Sequence, residues 1–104
     1  MIYVSHPYGG LKENKRKVEG IVRSLTAIYP GITFVSPIHT FGFIYDEVTY
    51  EAGLNMCIEL LSKCNKMYVC GDYESSKGCK EEIKYCEEHN IPHLIYDDEV
   101  GVFC

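Results

Sequence analysis

Two rhythms of apolar residues alternate along this chain. Ile2-Tyr3-Val4 is a short β-favouring run, and His6-Pro7-Tyr8-Gly9-Gly10 stops it as a loop. Over residues 12–29, Val18, Ile21, Val22, Leu25 and Ile28 recur at the helical period, and Pro30-Gly31 ends the pattern. Ile32-Thr33-Phe34-Val35 reads as a second strand, halted by Ser36-Pro37. A loop rich in aromatics, Phe41, Phe43 and Tyr45, is expected from residue 38 to about 47. A second helix is predicted over residues 49–63, with Leu54, Ile58 and Leu61 facing inward. Met67-Tyr68-Val69-Cys70 is a third strand, closed by Gly71-Asp72. Ser75 or Ser76 then caps a helix whose inner face is Cys79, Ile83 and Cys86. Leu94-Ile95-Tyr96 is a fourth strand. The tail from Asp97 to Cys104 has no clear period; a fifth strand, a contact between copies and disorder are all open for it.

The order βαβαβαβ predicts a parallel sheet with right-handed crossovers. The expected fold is a small three-layer α/β/α domain of Rossmann or flavodoxin type. Its sheet has four or five parallel strands in the order 2-1-3-4. With 104 residues, the chain is long enough for one domain, residues 1–104, and one modest core.

Composition narrows the function. No apolar run approaches the ~18 residues of a membrane span. The opening residues carry no charged leader or apolar h-region, so a cytoplasmic product is expected. The net charge of −5 argues against gripping long nucleic acid, where phosphate neutralisation dominates. Six cysteines lack any CxxC pair and read as reduced, apolar core thiols. A zinc site from Cys86, His89 and His93 would need a helix end and the following strand to converge, with a fourth ligand unnamed. No metal and no cofactor are expected.

In open parallel sheets, ligands sit beyond the carboxyl ends of the strands. Three loops leave those ends here, and they carry Ser5, His6, Tyr8, Gly9, Gly10, His39, Asp46, Asp72, Ser75 and Ser76. Gly9 and Gly10 let backbone N–H groups approach a ligand, and Lys12, Lys15, Arg16 and Lys17 follow closely. A phosphate or ribose contact competes there with a plain tight turn and a solvated helix face. Neither GxxxxGK nor GxGxxG is present. In Ser76-Lys77-Gly78-Cys79-Lys80-Glu81-Glu82, the glutamate stands in the second turn of a helix that starts at the rim. Glu82 is either a solvated surface carboxylate or one leaning into the crevice, as nucleophile or general base.

Tyr3-Val4-Ser5-His6-Pro7-Tyr8 and Ser76-Lys77-Gly78-Cys79-Lys80-Glu81-Glu82, with Pro92 ten residues on, resemble the nucleoside 2-deoxyribosyltransferase-like superfamily. The resemblance covers nearly the whole chain and is closest to the small uncharacterised domains often found in phages and prophages. It implies Glu82 as the catalytic nucleophile, Tyr3 beside it, and Ser76 and Gly78 lining a phosphate or sugar pocket. The enzymes usually carry an aspartate eight residues before the Asp that opens strand three. Asn65 matches the later position here, and Cys57 stands at the earlier one. Asn55 or Asp46 are the available substitutes.

The expected function is binding, even sequestration, of a nucleoside, nucleotide or ADP-ribose-like signal in the crevice. The alternative is an N-glycosidase or deoxyribosyltransferase acting on deoxynucleosides or their monophosphates. An interaction domain with an empty crevice is a third reading. The catalytic candidates are Glu82 and Tyr3. The ligand-binding candidates are Ser5, His6, Tyr8, Gly9, Gly10, His39, Asp72, Ser76 and Gly78. The resemblance also implies a homodimer or higher homo-oligomer.

Overall fold

A computed structural model describes residues 1–103. Strand β1 spans Ile2–Ser5, β2 Phe34–Val35, β3 Lys66–Val69, β4 His93–Asp97 and β5 Val102–Phe103. Helix α1 spans Lys12–Ile28, α2 Pro37–Phe41, α3 Tyr50–Ser62 and α4 Lys77–Glu88. The sheet order is β2-β1-β3-β4-β5. Strands β1 to β4 are parallel, as the alternation of strand and helix requires. The short fifth strand runs antiparallel to β4, with Tyr96 opposite Phe103. So the tail does form a strand, but one that returns along the edge without a crossover.

Strands β1 and β3 divide their side chains between two cores. Ile2, Val4, Tyr68 and Cys70 face α1, where they meet Val18, Ile21 and Leu25. Tyr3, Met67 and Val69 face the other way, against Leu61, Cys64 and Cys86 of the α3–α4 layer. The period of two therefore places Tyr3 and Ser5 on the same face of β1, beneath α4. This is the step that positions the site. Ile28, expected on the apolar stripe of α1, is instead exposed on the last turn, where the helix has run past the edge of the sheet's packed face.

The segment read as a loop from residue 38 is helical. Ser36 accepts the His39 N–H at 3.3 Å as N-cap of α2, and Pro37 occupies the first turn, where its missing N–H costs nothing. A 3-10 turn, Gly42–Glu47, continues to α3.

Gly71, just past β3, has φ +71°, and a Cβ there would lie 2.7 Å from His6 Nε2. Gly71→Ala therefore combines a left-handed backbone with a clash. A stability loss of roughly 1–3 kcal/mol is expected in a urea titration. An unchanged midpoint would mean that His6 swings away freely.

Candidate active site

The strand order reverses between β1 and β3, and the crevice beyond their carboxyl ends holds the site. Ser76 accepts the Cys79 N–H at 3.2 Å and starts α4 at that rim. The buried stripe of α4 is Cys79, Glu82 and Cys86. Glu82 thus takes the inner position expected of Ile83, which is only half-buried. It is not a solvated surface carboxylate: only 6% of it is exposed.

Two hydroxyls on β1 hold it. Tyr3 donates from its phenol to Glu82 Oε2. Ser5 Oγ donates to Oε1 at 2.7 Å. Burial raises the Glu82 pKa above the usual carboxylate value, and these two hydrogen bonds oppose it. Tyr3 is pushed well above its own ordinary value, chiefly by burial and then by the Glu82 charge. It therefore stays a proton donor. Beside Tyr3, burial pushes the Cys57 thiol up to about 11, so it is neutral at physiological pH.

Glu82 and Cys57 open onto a cavity of about 440 Å³. His6, Tyr8 and Gly9 supply one wall, and Ser76 and Gly78 another. Tyr8 packs edge-on against Tyr45, with ring centroids 5.0 Å apart. His6 Nδ1 lies 2.7 Å from the Pro7 carbonyl and serves as its donor, leaving Nε2 unpartnered and buried. Burial lowers the His6 pKa, so the ring is held neutral.

Several sequence candidates have other work. Gly10 (φ +77°) takes no place in the cavity wall, and a Cβ there would stand 3.1 Å from the Tyr45 ring. Its lack of a side chain admits that aromatic. Asp72 accepts the Ser75 hydroxyl at 2.8 Å and closes a 3-10 turn outside the cavity. His39 faces away, toward Glu19 on α1. Lys12, Lys15, Arg16 and Lys17 are exposed on α1 and line no part of the cavity. Tyr3 and Ser5 lie beneath Glu82, outside the lining. Phe41 and Tyr45 line the cavity, whereas Phe43 is 82% exposed, so none of the three fills the core. Asp46 also lines the cavity; Asn55 does not.

Sequence reasoning missed Pro37, Ile38, Tyr50 and Leu54, which form the apolar wall. The available signal was Ser36-Pro37, a cap followed by a first-turn proline, which turns a presumed loop into a helix. Cys86 packs against Met67, while His89 stacks on Tyr85, so the considered zinc ligands diverge. Among the described residues, no group of three or more His, Cys, Asp or Glu side chains is placed to hold a metal. Cys57, Cys64, Cys70, Cys79 and Cys86 are free thiols. No helix among the described residues is long and apolar enough to cross a membrane.

A family profile matches residues 1–96. The chain belongs to DUF7768, a domain of unknown function. No curated protein matches it. The structure of the DUF7768 chain is similar to that of a 2-desoxiribosyltransferase from Leishmania mexicana, with a TM-score of 0.67 and 16% identity. The likeness covers 92% of this chain but 63% of that one, so the DUF7768 chain spans less than two thirds of its neighbour's length. At that identity the likeness bears on the fold.

Ser76 matters to this DUF7768 site twice, as cavity wall and as the cap that starts the helix carrying Glu82. Ser76→Ala is expected to cost about 1 kcal/mol, read as a lower midpoint in chemical denaturation. A loss below a few tenths would show that the cap is not holding α4.

Proposed function

We propose that the chain takes a nucleoside- or nucleotide-type ligand into this cavity and cleaves its N-glycosidic bond with Glu82 as nucleophile. One observation carries this reading. A carboxylate is buried at the switch point of the sheet, fixed by two hydroxyl donors, and faces a cavity of small-molecule size. Burying a charge is costly, and a site for chemistry is where such a cost is retained. The fold likeness to a deoxyribosyltransferase and the sequence resemblance point the same way.

The chemistry follows from the geometry. Glu82 attacks C1′ while the C1′–N bond breaks. The bonding pair leaves with the base, which takes a proton from water. Water then attacks C1′ of the glycosyl ester, releases the carboxylate and returns a proton to solvent. One water is consumed per turnover. Tyr3 and Ser5 keep the carboxylate oriented and donate hydrogen bonds to its charge again once it is released.

Retention without turnover is the second reading, and Cys57 favours it. A neutral thiol stands where the resemblance expects an aspartate, so a second carboxylate to steady the sugar is missing at that position. One incubation separates the two. The protein meets deoxynucleosides, their monophosphates and ADP-ribose, and the mixture is chromatographed before and after denaturation. Free base supports cleavage. A ligand that leaves solution and returns intact on denaturation overturns cleavage in favour of binding.

A further inference from the structure

Across α2 from this cavity lies a second group of side chains, which the proposed function does not use. Ser36, at the carboxyl end of β2, places its hydroxyl 2.9 Å from His39 Nδ1. The other ring nitrogen of His39, Nε2, lies 2.9 Å from the Glu19 carboxylate on α1. The three border a separate cavity of about 240 Å³, whose other walls are Val22, Phe34 and Arg23.

The hydrogen bonds assign the protons. Glu19 accepts only, so Nε2 carries the hydrogen and donates to it. Nδ1 is then the lone-pair nitrogen and accepts from the Ser36 hydroxyl. Ser36 Oγ also accepts the His39 backbone N–H at 3.3 Å, which leaves its own proton free to point at the ring. A hydroxyl, a base and a carboxylate in series are the elements of an activated serine, recognised by roles rather than chain order. The Glu19 carboxylate is held below its usual pKa, first by the hydrogen bond from His39, and so stays ionised beside the ring.

We propose that Ser36, His39 and Glu19 form a second, esterase-type site for a short-chain acyl ester. Ser36 Oγ attacks the acyl carbon and its proton passes to His39 Nδ1, while Glu19 steadies the imidazolium through Nε2–H. The tetrahedral adduct collapses, and the C–O bond to the alcohol breaks. The alcohol leaves with the proton from His39. Water, activated by the same ring, then releases the acid and restores Ser36. Val22 and Phe34 offer an apolar wall to the acyl chain. Among the described residues lining this cavity, Arg23 is the one cation available to the developing oxyanion. With Val22 and Phe34 as its apolar lining, the cavity suits an acyl group of a few carbons.

The test is labelling of the intact protein with a fluorophosphonate, followed by peptide mapping, alongside hydrolysis of p-nitrophenyl acetate and p-nitrophenyl octanoate. The adduct is expected on Ser36. Labelling should fall at least tenfold in His39→Gln and severalfold in Glu19→Gln. These two variants change partly exposed side chains and keep the Ser36 cap, so loss of folding does not confuse them. Acetate should be cleaved faster than octanoate. No adduct, an adduct on another residue, or labelling indifferent to His39→Gln overturns the proposal and leaves the three side chains as a helix cap joined to a surface ion pair. Because this site shares no residue with the Glu82 cavity, its failure says nothing about base release, and the reverse holds too.

Discussion

Glu82→Gln abolishes base release while the protein still folds and still binds the nucleoside. The amide keeps the shape of the carboxylate and can hydrogen-bond to Tyr3 and Ser5, but it cannot attack C1′. Removing a nucleophile of this kind costs at least about 10³-fold in turnover. Affinity should change little, because Glu82 is one of many residues lining the cavity and the amide keeps its shape there. Turnover is read by chromatography of released base, and affinity by equilibrium dialysis at matched concentrations. Undiminished base release would move the chemistry to another group. Loss of affinity together with loss of turnover would mean that Glu82 serves in binding.

The second large effect concerns stability, and it has the opposite sign from most core substitutions. Burial raises the Glu82 pKa in the folded chain above its value of about 4.3 in the unfolded one. The folded state therefore holds that proton more tightly. The stability linked to it is fully present below pH ~4.3 and is lost as pH rises through the folded pKa. Gln does not titrate. Glu82→Gln should accordingly match the parent in acid and become the more stable of the two toward neutral pH. Each kcal/mol of relief corresponds to roughly 4–8 °C in Tm for a domain of this size. Thermal melts of both proteins from pH 4 to pH 8 would show the two curves separating. A variant less stable at every pH would mean that the Tyr3 and Ser5 donors outweigh desolvation and that the folded pKa is depressed.

Much of the fold was legible because its signals are local and strong. Val18, Ile21 and Leu25 mark α1 by spacing alone, and Pro30-Gly31 marks its end. The short strands alternate with helices long enough to force parallel crossovers, so the order 2-1-3-4 follows from few alternatives. The site was harder to read. Positions 82 and 83 lie on either side of the inner line of α4, and hydrophobicity favours Ile83. What turns Glu82 inward is a pair of hydroxyls on β1, some eighty residues away in sequence. Spacing along one helix cannot report that. The resemblance could, because it ties Tyr3 and Glu82 together as one unit. His39 misleads for the same reason in reverse. It sits in a rim segment, but its partner is Glu19, on the face of α1, which no reading of the loops brings near.

The two margins of the sheet have a consequence of their own. On one side β2 offers only Phe34–Val35. On the other, β5 covers β4, and Phe103 anchors it by packing on Tyr68 and Tyr96 at 4.7 and 5.0 Å between ring centroids. Among the described residues, neither border presents a long open ladder of unpaired amides and carbonyls, which is the usual template for stacking one molecule onto the next. The described sheet thus gives a second copy little backbone to extend, and growth into a fibre by edge-to-edge addition is disfavoured.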